Sequence, residues 1–128
     1  MTSIVGSAFA DCEKLTSITI PNSVTTIGYA AFYGCSNLTS ITIGNSVTSI
    51  GYNALGYCTG LTELVIPDSV QYIAGGAFVC CENLTDVVIG DGVGTIDYDA
   101  FQLCTKLENL TIGENVVNIE LRAFADCS

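Results

Sequence analysis

The 128-residue sequence contains no histidine, and only three basic residues stand against thirteen acidic ones. Without imidazole, the metal sites and acid–base catalysis that depend on it are excluded. A net charge of −10 argues against nucleic acid as a partner. No apolar run approaches the roughly 18 residues that would span a bilayer, so no transmembrane segment is expected. No signal peptide is readable in this segment either. Signatures of chemistry are also missing: no nucleophile beside a base, no glycine-rich phosphate cradle, no paired carboxylates in an evident cleft. The expectation is a non-enzyme that needs no cofactor and no metal.

What is present is repetition. Cys12, Cys35, Cys58, Cys81, Cys104 and Cys127 are spaced by 23 residues throughout. Leu15, Leu38, Leu61, Leu84 and Leu107 keep that interval, as do Ile20 to Ile112 and Ile4 to Ile119. Ala8, Ala31, Ala54, Ala77, Ala100 and Ala123 each precede Phe, with Leu55 as the one exception. A period in this range signals a solenoid, because 23 residues cannot bury a core alone but can share one when stacked. The chain therefore reads as a single array over 1–128. It comprises a partial repeat (1–11) and repeats starting at Cys12, Cys35, Cys58, Cys81 and Cys104, with no polar cap evident at either end. It has the look of a segment of a longer array or of a unit that stacks on its own copies.

Within a unit, Leu15 to Ile20 is rich in β-branched residues and predicts a short strand. Pro21, Gly44, Pro67, Gly90 and Gly113 end that strand and turn the chain. Val24 to Ile27 predicts a second extended segment, and Tyr29 to Phe32 a single helical or 3₁₀ turn. The pattern Leu-x-x-Ile-x-Ile-Pro-x-Ser-Val-x-x-Ile-Gly-x-x-Ala-Phe-x-x-Cys, complete from Leu15 to Cys35, resembles the BspA-like, or treponemal-type, leucine-rich repeat of bacterial and protist surface proteins. Ala74, Asp97 and Glu120 depart from it where Gly follows Ile, which is expected to loosen those turns. The resemblance implies a leucine-rich-repeat solenoid with a parallel sheet on one face and turns, short strands or 3₁₀ turns on the other. It also implies an extracellular or cell-surface setting and adhesion or protein binding.

The Cys series could be a disulfide framework, a metal site or a core ladder. Stacked turns put equivalent residues about 4.7–4.9 Å apart with parallel side chains, whereas a disulfide needs Cβ atoms about 3.5–4.5 Å apart and facing sulfurs. Tetrahedral zinc needs converging ligands, not a straight row. Cys12, Cys35, Cys58, Cys81, Cys104 and Cys127 are therefore expected to be buried free thiols. Cys80 breaks the period, and its equivalents are Asp11, Gly34, Tyr57, Leu103 and Asp126. That variety predicts a surface position and a partly exposed, reactive thiol.

Charge is unevenly spread. Asp11 and Glu13 against Lys14 give −1 through Cys58; eleven acids against Lys106 and Arg122 give −9 from Thr59 onward. Asp91, Asp97 and Asp99 lack the spacing of a calcium loop and read as a solvated acidic face. With alternate strand residues inward, Ser17, Thr19, Ser40, Thr42, Glu63, Val65, Asp86, Val88, Asn109 and Thr111 point outward as the candidate binding face. The strip has no aromatic anchor, so affinity would accumulate over many repeats. Tyr29, Tyr52 and Tyr98 are expected at the rim of the core with wet phenols. Asn37, Asn83 and Asn109 spell glycosylation sequons that follow from the repeat itself.

These features favour a protein-binding or adhesive module of a larger surface protein, whose partner is a protein ligand. The rival is a structural protein that associates end to end with copies of itself through uncapped strand edges. A Ser/Thr face that orders ice is a minor alternative, spoiled where Glu63 and Asp86 make the row acidic.

Overall fold

A computed structural model describes residues 2–127. The chain coils into a parallel β-solenoid in which each turn advances by one 23-residue repeat. Six two-residue strands, β1 (Ser3–Ile4), β3 (Thr26–Ile27), β5 (Ser49–Ile50), β7 (Tyr72–Ile73), β9 (Thr95–Ile96) and β11 (Asn118–Ile119), form one unbroken parallel sheet in that order. Register is strict: Ile4 pairs with Ile27, Ile27 with Ile50, Ile50 with Ile73, and Ile73 with Ile96. The Leu-x-x-Ile-x-Ile segments supply the opposite wall, and here the sheet is divided. β2 (Ser17–Thr19) pairs only with β4 (Ser40–Thr42); β6 (Glu63–Ile66), β8 (Asp86–Ile89) and β10 (Asn109–Thr111) form a separate three-stranded sheet.

Between the walls lies a core of stacked columns. Isoleucines fill the strand columns, and the aromatic column stacks Phe9 on Phe32 and Phe78 on Phe101, which stacks in turn on Phe124, at centroid distances of 5.3, 5.0 and 5.1 Å. Leu55 fills the gap in that column and is fully buried. Identical side chains repeating at the strand spacing meet face to face, which is why near-identical repeats share one core. Burial fades in the last repeat, where Leu110, Ile112 and Ile119 are exposed while their inner equivalents are buried.

The segment from Tyr29 to Phe32 forms no helix, and among the described residues no helix occurs anywhere. The chain instead turns through two columns of left-handed residues. One runs Ser7, Ala30, Asn53, Gly76, Asp99, Arg122; the other runs Asp11, Gly34, Tyr57, Cys80, Leu103, Asp126, with φ between 51° and 74°. The second column contains Cys80 and its equivalents, so their variety in sequence hides a shared backbone demand. Gly34 meets it freely, whereas a β-carbon there costs about 1 kcal/mol.

The turns that lack glycine after Ile are not loosened. Ala74, Asp97 and Glu120 donate their amides to Ile50, Ile73 and Ile96 at 3.0, 2.9 and 2.9 Å, close to the 2.8 Å at Gly28 and Gly51. Inter-repeat hydrogen bonding holds these corners whatever residue stands there.

Candidate functional site

All ten residues expected on the outer strand face are exposed. Ladder register sorts them into two rows: Ser17 beside Ser40, Glu63 beside Asp86 and Asp86 beside Asn109 in the first; Thr19 beside Thr42, Val65 beside Val88 and Val88 beside Thr111 in the second. Asp86 is held on both sides, accepting from Thr85 Oγ1 and Asn109 Nδ2 at 2.7 Å each. These bonds, that from Thr85 first, keep its carboxyl below the usual carboxylate range. The face is thus polar in its first half and acidic with an apolar stripe, Val65 and Val88, in its second.

The rows do not run through. Among the described residues, no backbone hydrogen bond joins β4 to β6, although the same repeats stay bonded at the opposite wall, where Gln71 donates to Thr48 at 2.8 Å and Ala74 to Ile50 at 3.0 Å. An open hollow of about 410 Å³ occupies this seam, lined by Ile41, Ile43, Asn45, Glu63, Leu64 and Pro67 among others. Pro67 accounts for it. At the equivalent Gly44, Gly90 and Gly113, a β-carbon would lie only 2.5, 2.7 and 2.3 Å from backbone oxygen of the preceding repeat. Gly90 also donates its amide to Ile66 at 2.9 Å. Proline can neither approach so closely nor donate. Two recurring side-chain ties fail here too, although Ser69 Oγ donates to the Val47 carbonyl at 2.7 Å: elsewhere Thr39 and Thr85 bond the preceding repeat through their hydroxyls, and the amides of Asn45 and Asp91 donate to the side chains of Asn22 and Asp68. No such bond links Thr62 or Asp68 to the repeat before.

Every one of the seven cysteines is a free thiol. Cys35, Cys58, Cys81, Cys104 and Cys127 donate their Sγ–H to the carbonyls of Phe9, Phe32, Leu55, Phe78 and Phe101, 26 residues back, at 3.0–3.4 Å. The ladder is therefore a column of weak ties between repeats as well as a packed one. Burial pushes the Cys58 and Cys104 thiols up to about 12 and raises Cys81 strongly. Such thiols are poor nucleophiles, since the thiolate is the reactive form. Two expectations need correction. Cys12 and Cys127 are only half-buried, because the outermost repeats cover them on one side. Cys80 is buried, not surface-exposed, although Tyr57 and Leu103 share its left-handed backbone and are exposed; hydrogen bonding to Cys80 holds the Tyr57 phenol above the usual range. Its accessibility as a reactive thiol is lost with that burial.

The other polar motifs are also absorbed by the stack. Asn37 and Asn83 Nδ2 donate to the carbonyls of Glu13 and Thr59 at 2.7 and 2.6 Å. Asp97 accepts a short hydrogen bond from the Tyr72 hydroxyl, which raises the tyrosine above its ordinary range. Asp99 pairs with Arg122 at 3.1 Å. Tyr29, Tyr52 and Tyr98 lie exposed at the rim as expected, and Tyr52 and Tyr98 lean over Gly75 to bring their ring centroids within 6.4 Å.

The model of the BspA type leucine-rich repeat region matches residues 2–128 in six copies. The chain belongs to that family. Among solved structures this BspA-type array is similar to a leucine-rich cell surface protein from Faecalibacterium prausnitzii, at 38% identity and a TM-score of 0.87, covering 98% of this chain and 34% of that one. It is similar to the T. pallidum leucine-rich repeat protein at 26% identity and a TM-score of 0.75, covering 99% of this chain and 70% of that one. A Bacteroides ovatus leucine-rich repeat protein aligns at 32% identity and a TM-score of 0.68, over 99% of this chain and 39% of that one. No curated protein shows significant similarity to the sequence. The BspA-type chain thus spans about a third of the F. prausnitzii protein and about two fifths of the B. ovatus one. Among the described residues, no helix is long and apolar enough to cross a membrane.

Proposed function

We propose that this chain is a non-catalytic, protein-binding or adhesive module of a cell-surface or secreted protein, and that the outer strand face carries the contact. The observation that supports this is the register of that face: ten exposed side chains in two rows, while five of the ladder thiols, Asn37, Asn83 and the carboxylates of Asp68, Asp91, Asp97 and Asp99 are engaged between repeats. Rows of short polar and acidic groups give modest affinity per repeat, which multiplies when many repeats or copies engage together. The F. prausnitzii relative, described as a cell surface protein, favours the same setting.

The test is attachment of beads carrying the chain to an epithelial cell layer. Glu63→Lys with Asp86→Lys should lower attachment about tenfold, because reversing charges at a complementary contact is strongly unfavourable. Glu114→Lys with Glu120→Lys makes the same change in net charge away from the face and should leave attachment near wild type. Equal effects of the two pairs, or attachment no better than bare beads, would overturn the reading.

A second reading, end-to-end association, is favoured by the last repeat, where Leu110, Ile112 and Ile119 are exposed while Val87, Ile89 and Ile96, their equivalents one repeat earlier, are buried. An apolar end that meets a complementary one makes a heterologous contact, which propagates unless the rotation closes. Light scattering over a hundredfold concentration range tests it: growing particles support association, and a constant monomeric mass excludes it.

A further inference from the structure

We infer that the seam between β4 and β6 is a slot that receives a lysine or arginine side chain from an extended segment of the protein partner. This rests on the reading of the strand face as a protein-binding surface, and it assigns the contact to one place on that face.

Three observations converge there. First, the seam holds main-chain groups without partners. In the intact ladder, Ile20 donates to Thr42 at 2.8 Å and Asn109 to Thr85 at 3.0 Å. By the 23-residue period, Ile43 and Glu63 should donate likewise across the seam, and the carbonyls of Thr39, Ile41 and Ile43 should accept. Among the described residues none of these groups finds a partner in the protein. Carbonyl oxygens set free beside an opening are acceptors in search of donors. An ammonium or guanidinium offers donors only, three or five of them.

Second, the slot has the right lining. Ile41, Leu64 and Pro67 supply apolar wall for a methylene stem, and Glu63 supplies a carboxylate at the mouth. Long basic side chains bury their stems against such surface and keep the charged end with polar partners. Third, the charge is complementary and unspent. Glu63 has no cationic partner among the described residues, where the one ion pair joins Arg122 to Asp99 and Lys106 is engaged with Asn83. Asp86 lies next to Glu63 in register, and the net charge of −10 draws cations to the surface generally. A carboxylate would meet Glu63 with like charge and leave the carbonyls unpaired, and a whole strand would not fit because the opposite wall keeps the two repeats bonded.

Two measurements test the inference on the intact chain. In native-state hydrogen exchange, the amides of Ile41, Ile43, Glu63 and Val65 should exchange at least about a hundredfold faster than that of Ile20, whose ladder bond is made. Comparable protection would show that the seam is closed in solution and overturn the inference. The second measurement titrates the blocked pentapeptide Gly-Gly-Arg-Gly-Gly, followed by amide chemical shifts, with Gly-Gly-Ala-Gly-Gly as the control. Wild type should show shifts clustered at the seam with the arginine peptide only, weakening with salt. Pro67→Gly restores the donor and the close approach, so it should protect the seam amides and weaken binding about tenfold or more. Glu63→Gln, at an exposed position where folding is not at stake, should weaken it about threefold. Equal binding by wild type and Pro67→Gly, or none by wild type, would overturn the slot. Bead attachment that survives Pro67→Gly would then assign adhesion to the rest of the face, so failure of the slot is distinct from failure of the adhesive reading.

Discussion

Raising the pH from 7 to 10 should remove about 3 kcal/mol of folding stability through two thiols alone. Cys58 and Cys104 have no solvent exposure, and burial lifts each from 9.0 to about 12. A group whose folded value is raised stabilises the fold fully below its unfolded value and loses that contribution as pH climbs toward the folded one. Between pH 9 and 12 the unfolded chain releases these protons while the native chain keeps them. At pH 10 the loss is about 1.4 kcal/mol per thiol; Cys81, raised in the same direction by deeper burial, adds to it. With a urea slope of about 2 kcal/mol per M for a chain of this size, the pair shifts the midpoint down by about 1.5 M. The assay is urea unfolding under reducing conditions at pH 7 and pH 10, for wild type and for Cys58→Ala with Cys104→Ala. The double variant should be less stable at pH 7, from small cavities and lost Sγ–H bonds, but should lose about 3 kcal/mol less than wild type on going to pH 10. An identical pH-dependent loss in the two would refute the argument that the ladder is buried and protonated.

Three further outcomes follow from the stack. Ile73→Asn, in the middle of the Ile column and fully buried, should cost about 4 kcal/mol, whereas Ile119→Asn in the same column but 50% exposed should cost about 1, both read by urea unfolding. Ala30→Gly, at a φ of 51°, should raise stability by about 0.5 kcal/mol, while Ala31→Gly, adjacent and outside the left-handed set, should lower it by about 1; a thermal melt of each distinguishes them. Maleimide labelling followed by mass spectrometry should modify Cys12 and Cys127 first, and Cys35, Cys58, Cys80, Cys81 and Cys104 only on unfolding.

The sequence made the period, both strands and the outward face legible, because each depends on side chains that recur in register. Ile20 and Ile66 reveal their columns by identity alone. The left-handed columns were hidden for the opposite reason. Tyr57, Cys80 and Leu103 share a backbone conformation but no side-chain chemistry, so the only visible hint was Gly34, and Cys80 read as a surface residue although it is buried where Tyr57 and Leu103 are exposed. The seam was hidden because Pro67 occupies a position where Pro21 and three glycines also occur. As a strand terminator proline and glycine are interchangeable. As a contact with the preceding repeat they are opposites, and only the 2.3–2.7 Å clearances at Gly44, Gly90 and Gly113 reveal it.

That contact logic also limits where function can reside. A residue type that recurs every 23 positions invites a functional reading, yet the cysteines donate to carbonyls of the preceding repeat, and Asn37 and Asn83 do the same. These columns are conserved within the chain because each repeat must bond the one before it, and a ligand would have to compete with that bond. Specific recognition must therefore use positions at which the repeats differ. On the outer face those are Glu63, Val65, Asp86 and Val88, where the Ser and Thr of the first two repeats give way to acid and valine. The seam falls at the same boundary, between Thr42 and Glu63, and the net charge changes there from −1 to −9. One boundary thus combines a change of surface chemistry, a concentration of negative charge and a break in the hydrogen-bonded sheet. If contact energy were spread evenly over the face, charge reversal at any strand would cost the same. Concentration at the boundary predicts that Glu63→Lys alone accounts for most of the loss seen with the Glu63 and Asp86 pair. Asp86→Lys alone, on a carboxylate already held by Thr85 and Asn109, should account for little, and equal single losses in the bead assay would return the contact to the face as a whole.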